Sequence, residues 1–171
     1  MHLKLGLLCF AVVTTAVPAS ASAGTRALDE CRLVTAAEAT RILGVRVKLM
    51  RGGSESCFLN FRLERLRGVV LTVVPDVAGT ESGFYRVRRE MRRPPGGVVA
   101  RRTYKDVRIG GDEAFQVEEV HASGGVKSIA RIIWIHHSRT TFRISTGYQL
   151  GWKPITFVQL RAIALTAMKR F

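Results

Sequence analysis

Apolar and polar residues alternate with a period of two along most of this chain, and a helical period appears in only three places. Val45, Val47 and Leu49 alternate with Arg46, Lys48 and Met50, and Gly52-Gly53 turns the chain. Cys57, Leu59, Phe61 and Leu63 then alternate with Phe58, Asn60 and Arg62, and a turn follows over Arg65 to Gly68. Val69 to Val74 reads as a strand that is apolar on both faces, closed by Pro75. Val98 to Ala100 predicts no more than a short strand. The longest unbroken stretch, Gly110 to Tyr148, predicts a three-stranded antiparallel meander with turns at Ser123-Gly124-Gly125 and Ser138-Arg139. Its first strand carries Phe115 and Val117 and its last carries Phe142 and Ile144. The middle strand breaks the one-face rule: Ile129, Ile133 and Ile135 point one way, and Ile132 and Trp134 point the other.

The first helical stretch opens on Thr35-Ala36-Ala37-Glu38, a capping box, and should run from Ala36 to Leu43, with Gly44 as its left-handed end. A second starts near Ser82, with Phe84, Val87 and Met91 on one side and Arg86, Arg89 and Arg93 on the other, joined by Arg88 and Arg92. Pro94-Pro95-Gly96-Gly97 ends it. Pro154 should open the last helix, with Ile155, Val158, Ala162 and Leu165 as its core stripe, widened by Leu160, Ala164 and Met168. These elements predict an α+β fold: a mainly antiparallel sheet of about six or seven strands with two or three helices packed chiefly on one face.

The amino terminus changes the setting of that fold. Lys4, the apolar run Leu5 to Val17, Pro18 and the small residues Ala19 to Ala23 have the form of a secretory signal. The run is shorter than the ~20 residues a spanning helix needs. Residues 1–23 are therefore read as a cleaved leader and 24–171 as a single α+β domain. An uncleaved membrane anchor suits the length and flanks less well. A lipid anchor at Cys9 suits them less still, because Leu8 stands where processing wants a small residue. No later run is long enough to cross a membrane. The expected location is extracellular, periplasmic or at the cell envelope. In that oxidising setting Cys31 and Cys57 should form a disulfide, two free buried thiols being the alternative.

Charge then narrows the partners. There are 27 Lys and Arg against 13 Asp and Glu, a net charge of +14, and only Lys4 among these leaves with the leader. Such an excess attracts polyanions, and export makes an anionic envelope polymer or membrane surface the favoured partner. The candidate anion-binding residues are Arg86, Arg89, Arg92, Arg93, Arg101, Arg102 and Lys105, with a solvated helix face as the alternative. Nucleic acid is disfavoured, because only Phe84, Tyr85 and Tyr104 are at hand to stack on bases. A second candidate surface is apolar: Val70, Val74, Ile132 and Trp134, for a lipid-like ligand or a homodimer if the protein's own helices do not cover it.

The remaining polar pairs predict no site. Asp112 and Glu113 are adjacent on a strand and so face opposite ways, as do His136 and His137. His121 is placed to meet His137 across the hairpin, but two ligands do not make a metal centre. No nucleophile elbow, phosphate loop or zinc-protease helix occurs. The sequence therefore assigns no catalytic residue, no metal and no cofactor, leaving a hydrolase with a dispersed site as the enzymatic alternative.

Several short motifs carry a resemblance across nearly the whole mature chain. They are Cys31-Arg32-Leu33-Val34-Thr35 with Glu38, Gly44, Cys57-Phe58, and Gly111-Asp112-Glu113-Ala114-Phe115 ahead of the meander and terminal helix. Together they resemble a family of small exported proteins and lipoproteins of unknown function, common in actinobacteria. Here Ile109-Gly110 stands where that family shows Gly-Leu, and its lipid-anchor Cys is missing. The resemblance implies an α+β sheet domain and the Cys31–Cys57 pairing, and it implies no activity.

Overall fold

The computed structural model describes residues 29–51, 56–62, 67–75, 81–123, 125–146 and 155–170. Residues 1–23, expected to be a leader, Pro154 and the end of the meander stretch beyond Thr146 lie outside the described residues. Chain order is α1 (Ala36–Leu43), β1 (Lys48–Arg51), β2 (Ser56–Arg62), β3 (Arg67–Pro75), α2 (Gly83–Met91), β4 (Val99–Ile109), β5 (Asp112–Ser123), β6 (Val126–His137), β7 (Thr140–Thr146) and α3 (Phe157–Met168). The strands form one seven-stranded sheet in the order β1-β2-β3-β7-β6-β5-β4. Every pairing is antiparallel.

Local chemistry accounts for α1. The Thr35 hydroxyl accepts from the Glu38 amide, the Glu38 carboxylate accepts from the Thr35 amide, and Gly44 ends the helix at φ 72°. Leu43 and Ala39 turn inward onto Leu59, Val69, Ile133, Ile135, Phe142 and Ile144, all on one face of the sheet. From α3, Leu160, Ile163, Ala164 and Ala167 complete that core. The Cys31–Cys57 disulfide ties the approach to α1 onto β2.

The opposite face has its own, smaller core. Phe84 of α2 is fully buried against Phe115, Val117 and Ile132, with Val87, Met91, Tyr104 and Trp134 packed around them. Two helices thus lie on one face and the third on the other. That arrangement explains the apolar character of both sides of β6. Ile133 and Ile135 belong to the core under α1 and α3, while Ile132 and Trp134 belong to the one under α2.

The fold corrects the expectations for β4 and α3. The basic segment after Ala100 is not a connection but the 11-residue strand β4, so the meander has four strands. An edge strand keeps charged residues to discourage pairing with other chains, so its alternation is of Arg102, Tyr104, Asp106 and Arg108 rather than of apolar residues. Gly110 and Gly111, at φ 62° and 96°, form the two-residue hairpin into β5. The second correction concerns α3. Its capping box is Thr156 with Gln159, and its buried stripe is Leu160, Ile163, Ala164 and Ala167. Val158 and Leu165, expected in the core, are 75% and 42% exposed. The helix is apolar on most sides, so periodicity alone left its phase open.

Candidate anion-binding surface

The placement of Phe84, Val87 and Met91 decides what the arginines of α2 do. The Ser82 hydroxyl accepts from the Phe84 amide and starts the helix, and the apolar side docks on the sheet. Arg86, Arg89 and Arg93 are then left exposed on the outer side, spaced about one turn apart. Arg88 is half-buried, over β4 and β5.

These cations fall into two populations. Arg88 reaches Asp106 at 2.9 Å and Glu113 at 3.3 Å. Arg92 donates to Asp106 at 2.6 Å, Arg102 to Glu119 at 2.7 Å, and Arg89 forms a bidentate pair with Glu81. Arg101 approaches Glu118 at 3.9 Å. By contrast, among the described residues no carboxylate lies within ion-pair distance of Arg86, Arg93 or Lys105. The segment is also divided by the sheet. Arg102 shares the α2 face, whereas the strand register puts Arg101 and Lys105 on the α3 face, beside Val120 and Gln116.

Asp106 is the hub of the paired group. Burial pushes its carboxyl up, but hydrogen bonds from Tyr104 (2.5 Å), Arg92 and Arg88 outweigh that and hold it below the usual carboxylate range. Burial in turn raises the Tyr104 phenol, assisted by its bond to Asp106. The Arg92 guanidinium lies 5.3 Å from the Tyr104 ring, so that ring is capped rather than open for stacking. Arg88, Asp106, Arg108 and Glu113, with Val107 and Ala114, line an open cavity of about 290 Å³ beside α2. The sequence taken alone gives no role to Asp106 or Glu113. The Tyr104-x-Asp106 alternation facing an Arg-rich helix is the signal that points to them.

Of the apolar candidates, Ile132 and Trp134 share the cluster under α2, and Val70 stands apart from them. Ile132 is 8% exposed under α2. Trp134 is half-buried between the Phe115 ring, 6.2 Å away, and the Arg143 guanidinium at 5.3 Å. Val70 lies beyond an intervening strand, half-buried and in register with Phe58 and Ser145. The side chain of Val74 lies outside the described residues.

His136 and His137 do point to opposite faces. His136 stacks on Phe84 at 5.5 Å, and His137 Nδ1 lies 2.6 Å from Asp112. His121 does not meet His137: it pairs with Ser128 at the far end of the hairpin and contacts Glu119 at 3.3 Å. Among the described residues no three His, Cys, Asp or Glu side chains are grouped so as to hold a metal ion. No helix among them is long and apolar enough to cross a membrane.

No protein-family model matches the chain, and no curated protein does. Among solved structures it is similar to a Pseudomonas aeruginosa protein of unknown function, with 13% identity and a TM-score of 0.33 over 61% of this chain and 83% of that one. It is also similar to LpqN of Mycobacterium tuberculosis, involved in cell envelope biogenesis, with 10% identity and a TM-score of 0.38 over 71% of this chain and 75% of that one. Likeness this distant carries no functional argument.

Proposed function

We propose that the chain is an exported, non-enzymatic module that binds an anionic component of the cell envelope through the outer side of α2. One observation carries this reading: Arg86 and Arg93 stand exposed without an ion-pair partner among the described residues, while neighbouring arginines engage Glu81, Asp106, Glu113 and Glu119. The net charge of +14 adds long-range attraction to polyanions. The Cys31–Cys57 disulfide suits an oxidising compartment. The resemblance to small exported proteins and lipoproteins supports the same setting.

The test is binding to vesicles rich in phosphatidylglycerol, with pure phosphatidylcholine vesicles as the control. Binding should fall with added salt and drop sharply in the double variant Arg86→Glu, Arg93→Glu. Equal binding by that variant and the parent overturns the reading. A second reading is an apolar ligand or a second copy of the chain on the part of the sheet beyond α2. It rests on Met50, Phe58 and Val70, which stand in register on adjacent strands, with Met50 43% exposed. Lipid retained in native mass spectrometry, or a dimer in sedimentation, supports it.

A further inference from the structure

On the α3 face of the sheet, two buried nitrogen donors have no acceptor. Gln116 is 6% exposed, and its Nε2 has no hydrogen-bond partner. The Nε of Arg161 in α3 is likewise buried without one. Buried donors are nearly always matched, so two on facing elements point to an acceptor supplied from outside the chain.

The anchoring of α3 sets which strands the Arg161 flank of the helix faces. At its start, Arg131 donates to the Ile155 carbonyl at 2.7 Å and lies 5.7 Å from the Phe157 ring. At its end, Gly110 backs onto Leu165 and Met168. Phe157, Arg161, Leu165 and Met168 share one flank of the helix, since they recur at helical spacing. The opposite flank faces α1, where Gln159 donates to the Leu43 carbonyl. Arg161 is therefore turned toward β4 and β5, halfway between two anchors that stand at Glu118 and Ile109 in the register. Gln116 lies midway between those positions, and Lys105 is directly opposite it on the same face.

We propose that Arg161, Gln116 and Lys105 form a binding site for one oxyanion, a phosphate or carboxylate group, in the groove between α3 and the sheet edge. All three are donors, and guanidinium with ammonium supplies charge-assisted bonds to such a group. The acid nearest in sequence on this face, Glu118, is engaged at 2.8 Å by Arg131. Val158 and Leu165 are exposed on the solvent side of Arg161, so an apolar tail attached to the anion would meet apolar surface there. The site lies on the opposite face from α2 and stands independently of the surface proposed there.

The experiment titrates the purified protein with inorganic phosphate by calorimetry, and separately with phosphatidylglycerol vesicles against phosphatidylcholine vesicles. Arg161→Met and Gln116→Leu should each weaken binding of the recognised probe about tenfold, as loss of a charge-assisted or buried hydrogen bond implies. Gln116→Leu should at the same time raise the melting temperature, because it removes an unmatched donor. That rise keeps a folding defect apart from a binding defect. Val126→Ser, at an exposed position outside both surfaces, should leave phosphate binding unchanged. Phosphate binding marks a small free ion as the ligand. Vesicle binding alone, weakened also by Val158→Ser, marks a lipid headgroup. If neither probe binds, or if both bind Arg161→Met and Gln116→Leu as well as the parent, the proposal is overturned.

Discussion

Glu38 and Arg170, 132 residues apart, form a bidentate pair at 2.6 and 2.8 Å that joins the start of α1 to the end of α3. The same carboxylate serves the capping box through the Thr35 amide, and the same guanidinium donates to the Leu33 carbonyl at 2.8 Å. One local motif is thereby tied to the far end of the chain.

That relationship predicts an acid-sensitive term in stability. The hydrogen bond from Arg170, then those from Thr35, bring the Glu38 pKa down from 4.5 to about 2. A carboxyl held lower in the folded state than in the unfolded state stabilises fully above the unfolded value, and the stability is lost as pH falls toward the folded one. Urea unfolding of Arg170→Gln should show lower stability than the parent at pH 7. The gap should close between about pH 4.5 and pH 2. A gap that stays constant across that window would show that Arg170 acts only by packing.

Phe84 should be the main determinant of α2 docking. It is fully buried between Phe115 at 5.2 Å and His136 at 5.5 Å. Phe84→Ala is expected to destabilise the protein by about 3 kcal/mol. Tryptophan emission should move to the red as Trp134 becomes hydrated. Unchanged emission would place Trp134 outside the influence of α2.

The phase of α3 has a direct test. Leu160 is fully buried, so Leu160→Ala should lower stability by about 3 kcal/mol. Val158 is open, so Val158→Ser should stay within about 0.5 kcal/mol of the parent. The reverse order in a denaturation series would restore the stripe expected from periodicity.

The link between β6 and β7 runs through Ser138 and Arg139 at φ 45° and 62°, a region that disfavours both residue types. Two left-handed residues in a two-residue hairpin link favour Asn-Gly. Ser138→Asn with Arg139→Gly should therefore raise stability by about 1 kcal/mol. A lower denaturation midpoint in the double variant would contradict the turn geometry.

The legible parts of this protein were those held by neighbours in sequence. Thr35, Glu38 and Gly44 bound α1 to the residue, because capping is settled within four positions of the helix end. The outward stripe of α2 was equally readable, since Phe84, Val87 and Met91 leave the arginines no other side. Beyond Ala100, β4 was not readable, because charged residues break the apolar alternation of this edge strand. Its Tyr104 and Asp106 acquire meaning only beside Arg88 and Arg92 of α2.

By itself the sequence determined the α+β class, the excess of positive charge and the periods of most elements, all of which depend on residue type and near spacing. Tertiary structure decided the rest. It set α2 against Ile132 and Trp134, chose which side of an evenly apolar α3 is buried, and divided the basic segment into paired and unpaired cations on two faces. The physical reason is that burial and ion pairing are settled between residues distant in the chain, where composition carries no information about who meets whom.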